Sequence, residues 1–183
     1  MEFFTKKNVI CLICGNSNQE LLPSLAFCSL CWSPSEKFSL LDAPEIDKIT
    51  EKIYLGNEEA QKQKSLLKLL KITHILVVGE ELQIFHANDF VYKKLEIEDS
   101  QLEDIKNYFE ESYKFIEEAN GNVLVHCMGG VSRSPTIVIA YLMKKEKKGF
   151  KEILSFVKSK RKWVKPNDGF KMQLKELEDQ LKL

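Results

Sequence analysis

The feature that most constrains this chain is a single junction. Asn122-Val123-Leu124-Val125-His126 is a short, near-continuous apolar run that reads as a buried central strand. It passes without a spacer into Cys127-Met128-Gly129-Gly130-Val131-Ser132-Arg133-Ser134, and then into a long helical pattern that starts at Pro135. Gly129 and Gly130 free the backbone to curl there. A loop between a buried strand and a helix can turn successive amides toward one point, and with the helix N-terminus behind them they form a site for an anion.

Around that junction the chain divides into three zones: a cysteine-rich head at residues 1–32, a connector rich in Ser, Pro and charge at residues 33–47, and a periodic body at residues 48–183. In the body, Ile53-Tyr54-Leu55, His74 to Val78 and Phe90 to Leu95 also have strand character. Helical patterns fall at Glu58 to Leu70 and at Leu102 to Ala119. The second carries Ile105, Phe109, Phe115 and Ile116 on one stripe and is closed by Asn120-Gly121. Beyond residue 133 the pattern is helical almost to the end, punctuated at Gly149 and Pro166. Strands alternating with helices predict an α/β sheet, followed by helices bundled on one side of it.

Lys and Arg together number 27, as do Asp and Glu, so no net field draws the chain to nucleic acid or an anionic membrane. The longest strongly apolar stretch, Ile137 to Met143, is far short of the roughly 20 residues that a membrane span needs. Met1 to Cys14 lacks a long apolar core before a small-residue cleavage site, and no Gly follows Met1 for acylation. A cytoplasmic protein is the expectation, with the nucleus also open to it. Between Tyr141 and Lys165 ten residues are basic and two acidic, a bias that solvated helix faces explain as well as an acidic phosphosubstrate or nucleic acid would.

Cys127 and Arg133 are separated by five residues, two of them Gly, so a sulfur can lie below a tetrahedral dianion while a planar guanidinium grips it from the side. Loop amides, the helix N-terminus and Arg133 all favour the thiolate, which is the nucleophilic form. A lone Cys is more often a buried structural thiol. Cys, Gly, Arg and two hydroxyls together at a strand-to-helix junction point instead to phosphate-ester chemistry.

The run His126 to Ser134, followed by Pro135 to Met143, resembles the signature of the dual-specificity protein tyrosine phosphatases. The likeness extends through Ile53-Tyr54-Leu55-Gly56-Asn57, Ile72 to Leu76, Glu98-Asp99-Ser100 and Pro166-Asn167, and so covers the chain from about Ile49 onward. It implies that family's fold, a central mixed sheet flanked by helices, and its two-step hydrolysis through a phosphocysteine. In that scheme Cys127 is the nucleophile and Arg133 the phosphate clamp, and Met128, Gly129, Gly130, Val131 and Ser132 complete the phosphate-binding loop. Asp99 supplies the proton to the leaving oxygen and then serves as base for water. Ser134 matches the hydroxyl that bonds the sulfur, and His126 the imidazole that orders the loop.

Each of these has a plainer reading. Nine acidic residues fall between Glu96 and Glu118, and most such charges are a solvated helix face. Position in the family pattern picks out Asp99. Ser132 and Ser134 could be helix-start hydroxyls, and His126 a satisfied core imidazole. Asn57 and Asn167 read as turn or cap residues and are given no role in the site.

In the head, Cys11 and Cys14 form one close pair and Cys28 and Cys31 another, with thirteen residues between them. This is near the spacing of four-thiolate structural zinc sites, and the segment is too short to bury a core without a metal. The expectation is a zinc-knuckle segment that recruits a protein partner, dimerises or stabilises the body. Catalysis itself calls for no cofactor. The small, uncharged loop side chains fit a phosphoprotein carrying phosphotyrosine, phosphoserine or phosphothreonine. The alternatives are a phosphatase of RNA 5′ ends, phosphoglucan or phosphoinositide, or a phosphate-binding scaffold guided by the zinc segment.

Overall fold

The computed structural model describes residues 46–183, so Cys11, Cys14, Cys28 and Cys31 and all but the end of the connector lie outside the described residues. Five strands form one mixed sheet: β1 (Ile46–Lys48), β2 (Ile53–Gly56), β3 (Ile72–Val78), β4 (Val91–Leu95) and β5 (Asn122–His126). Their order is β1-β2-β5-β3-β4, with β1 antiparallel to β2 and every other pairing parallel. The apolar run read as a central strand is β5, the middle of the five. Val123, Leu124, Val125 and His126 are all fully buried. Because successive strand residues face opposite sides, both faces of the sheet are covered at β5. β1 is a strand that the sequence pattern did not show; only three residues long, it falls where charge and Pro dominate.

The helices are α1 (Glu58–Lys62), α2 (Lys64–Leu69), α3 (Phe109–Glu118), α4 (Arg133–Glu146), α5 (Phe150–Lys160) and α6 (Asp168–Leu181). The first helical pattern predicted one element over 58–70, but the backbone leaves the helical region at Gln63. The β3–β4 loop is responsible: His86 Nε2 donates to the Lys62 carbonyl at 3.0 Å, and Gln61 Nε2 donates to the Gln83 carbonyl at 2.8 Å. Asn57 caps α1, its side-chain oxygen accepting from Ala60 N, as the cap reading had it.

The second pattern, 102–119, also shortens. Its first residues are not helical, a 3₁₀ turn follows at Ile105–Tyr108, and α3 begins at Phe109. Backbone groups of the earlier stretch bond sideways to α6: Gln173 Nε2 donates to the Glu103 carbonyl and Gln173 Oε1 accepts from Lys106 N. α4 is buried at every residue from Arg133 to Met143, so it runs through the core and fixes the junction at its N-terminus. Each Ile, Leu or Val buried there is worth about 1.5–3 kcal/mol. α6 presents Phe170 and Leu174 as fully buried residues and packs Leu177 and Leu181 against the same core. Among the described residues no helix is long and apolar enough to cross a membrane.

Candidate active site

The loop after β5 is shaped by what holds its carbonyls. Met128 O accepts from Glu58 N, Gly129 O and Gly130 O accept from Arg161 Nη2 and Nε, and Val131 O accepts from Lys165 N. Four consecutive carbonyls are thus turned outward. Since the described peptide bonds are all trans, each planar unit turns its N–H the opposite way. The amides of Gly129, Gly130, Val131 and Ser132 therefore converge on the inside of the curve, beside the N-terminus of α4. Gly130 has φ 63°, and a Cβ there would lie 2.5 Å from Gly56 O and 2.7 Å from Arg161 Nη2. No other residue fits this turn.

At the base of the curve Cys127 is 2% exposed, and Ser134 Oγ donates to its Sγ at 3.2 Å. Neither serine acts as a helix-start cap: no side-chain bond caps α4, and Ser132 Oγ donates instead to Asp99 Oδ1 at 2.8 Å. Asp99 also accepts from Asn167 Nδ2 at 3.0 Å, and its second oxygen, Oδ2, stands 3.9 Å from Arg133 Nε. Cys127, Ser132, Arg133, Ser134 and Asp99 thus come together. Met128, which the sequence also placed in the phosphate loop, turns its side chain outward and is half exposed.

The Arg133 side chain is almost wholly buried and meets Glu81 with two nitrogens, Nη2 to Oε1 at 2.7 Å and Nη1 to Oε2 at 2.8 Å. Nη1 also donates to the Ile97 carbonyl at 3.2 Å. Burial by itself would lower the guanidinium's pKa. The hydrogen bond to Glu81 and the charges of Cys127, Glu81 and Asp99 outweigh it and hold the group above its ordinary value. In return Arg133 holds the Glu81 carboxyl below its ordinary range.

His126 is fully buried, and Nδ1 donates to the Cys127 carbonyl at 3.4 Å. Burial pushes its pKa down to about 4, against the pull of that bond, so the imidazole is neutral at neutral pH. Two residues of this site escaped sequence reasoning. Glu81 lies in a β3–β4 loop with no periodic pattern. Arg161 is one basic residue in a basic run and is distinguished only by being 1% exposed, clamped to Gly129, Gly130 and Asp47. Asn167, read as a cap, does cap α6 and also reaches Asp99. Among the described residues no cluster of His, Cys, Asp and Glu is placed to hold a metal ion.

The sequence profile described as "Dual specificity phosphatase, catalytic domain" matches residues 53–180, the stretch from the start of β2 to the last turn of α6. The chain belongs to the dual specificity phosphatase family. It is 44% identical over 138 residues to dual specificity protein phosphatase 1 of Arabidopsis thaliana, an alignment covering 74% of this chain and 70% of that protein. Against dual specificity protein phosphatase 5 of Homo sapiens it is 39% identical over 132 residues, covering 70% of this chain and 34% of that longer protein. Among solved structures, DUSP15 superposes with a TM-score of 0.69 at 35% identity, over 75% of this chain and 94% of that one. This dual specificity phosphatase therefore shares its fold with that structure over three quarters of its length.

Proposed function

We propose that this chain hydrolyses phosphotyrosine and phosphoserine or phosphothreonine in proteins through a phosphocysteine intermediate. The observation that supports it best is the outward bonding of four consecutive loop carbonyls, which turns the intervening amides to the inside of the loop that begins at Cys127. Three phosphoryl oxygens fit against those amides and the free edge of Arg133, the place where charge gathers as the phosphoryl group moves. Cys127 attacks phosphorus as the thiolate, and the P–O bond to the substrate breaks. Asp99 gives its proton to the departing oxygen, which an alkoxide from Ser or Thr needs most. Water then attacks the phosphocysteine with Asp99 as base. The S–P bond breaks to release phosphate, and the Ser134 hydroxyl stabilises the sulfur as it regains its charge. His126, neutral and buried, holds the Cys127 carbonyl.

Relatives are named protein phosphatases, and one is named a MAP kinase phosphatase. The uncharged side chains of Met128 and Val131 in the loop favour the same substrate class. Turnover of phosphotyrosine and phosphothreonine peptides compared with 5′-triphosphate RNA tests the choice. Rates on the peptides at least about 10-fold higher support it, and preference for the RNA rejects it.

For the head, the spacing of Cys11, Cys14, Cys28 and Cys31 supports one structural zinc ion with no open position, and a cytoplasmic setting, where thiols stay reduced, suits both the zinc site and Cys127. Metal analysis of the purified full chain is expected to find zinc that is lost on Cys11→Ser while phosphatase activity remains. A metal-free native protein would remove the zinc.

A further inference from the structure

Asn167 is bonded on three sides, and the three bonds together fix the orientation of its amide. Its Oδ1 accepts from Phe170 N at 2.9 Å, which caps α6 and leaves Nδ2 as the group that meets Asp99 Oδ1. Its backbone N donates to Ser132 Oγ at 3.2 Å, so the Ser132 hydroxyl proton points to Asp99, again to Oδ1. Both donors therefore land on the same carboxylate oxygen. Oδ2 is left on the side of Arg133 Nε, which is the side of the phosphate cradle.

We infer that Asn167 is a positioning residue for general-acid catalysis, selecting Asp99 Oδ2 as the oxygen that carries the transferred proton. A carboxylic proton on Oδ1 would face two donors, whereas on Oδ2 it faces the substrate's leaving oxygen. The surroundings hold that orientation. A Cβ at Gly169 would come 2.0 Å from the Gln101 carbonyl oxygen, and Gln173 bonds the chain at Glu103 and Lys106. The first two turns of α6 are thus fastened along the segment that follows Asp99. This inference rests on the role proposed above for Asp99 and adds which atom acts and what directs it.

Asn167→Ser keeps a good N-cap and removes the Nδ2 donor, which separates the two jobs of the residue. The measurement is kcat on aryl phosphates whose phenols range from strongly to weakly acidic, and on a phosphothreonine peptide, for wild type, Asn167→Ser and Asp99→Asn, with melting temperatures alongside. Asp99→Asn should lose about 10²- to 10⁴-fold on the peptide and little on the most acidic phenol. Asn167→Ser should show the same leaving-group dependence at about 10-fold on the peptide, with a melting temperature near wild type. A uniform loss across the series, or none, overturns the role of Asn167. Absence of any leaving-group dependence in Asp99→Asn overturns the general acid itself. If Asn167→Ser melts early, Asn167→Thr retains a cap, loses the same donor and gives the same reading.

Discussion

Arg133 carries five N–H donors, and three are taken by groups outside the cradle: two by Glu81 and one by the Ile97 carbonyl. The donors that remain are Nε–H and the second hydrogen on Nη2, which share one edge of the planar group; Nε is buried with no hydrogen-bond partner among the described residues, Asp99 Oδ2 standing 3.9 Å away. Glu81 thus grips a different edge from the one proposed for phosphate, and on that proposal it aims the guanidinium without competing for it. Arg133 is the buried partner and Glu81 the exposed one, so losing the carboxylate would leave the buried guanidinium without its main counter-charge. Glu81→Gln is expected to lower kcat/KM on a phosphopeptide by about 10- to 100-fold, the scale of a misplacement of roughly 1 Å. Tighter phosphopeptide binding by Glu81→Gln would show instead that Glu81 blocks the site. None of this was legible in the sequence, where Glu81 follows Glu80 in a loop without a pattern. That Cys127, Arg133 and Ser134 meet at one junction was legible, because all three lie along one continuous loop between a strand and a helix.

Elements were legible where they are periodic and packed by their own side chains. β5 matches its predicted limits, β3 begins two residues earlier than predicted, and α6 opens directly after Pro166-Asn167. Where another element captures backbone groups, periodicity misleads. The pattern at 58–70 breaks because His86 and Gln61 join α1 to the β3–β4 loop. The pattern from 102 yields to a loop because α6 supplies partners for residues 103 and 106. Leu102, which the period would bury, is 95% exposed as a result. The second break serves the site: a helix starting at residue 102 would bond along its own axis, and the segment behind Asp99 would lose its attachment to α6.

Across the whole molecule, the sheet delivers one end of each central strand to the same place. β5 ends at His126, directly before Cys127, β2 ends at Gly56 against Gly130, and the loop after β4 brings Asp99 to Ser132. β1 extends this support, because its Asp47 accepts from Arg161 Nη1 at 2.8 Å while Arg161 holds the carbonyls of Gly129 and Gly130. Asp47, in the first strand of the described chain, is therefore two hydrogen bonds from the loop. On the proposed mechanism the Cys127 sulfur attacks phosphorus within this cradle and a covalent S–P bond forms as the P–O bond breaks. Acid-quenching Ser134→Ala during turnover of a phosphopeptide, followed by mass spectrometry of the Cys127 peptide, tests it most directly, since loss of the hydroxyl bond to sulfur slows release of the thiolate. The account predicts a phosphoryl group on Cys127 in a large fraction of the quenched enzyme. Phosphate released at that rate with Cys127 unmodified, or with the phosphoryl group on another residue, would contradict it.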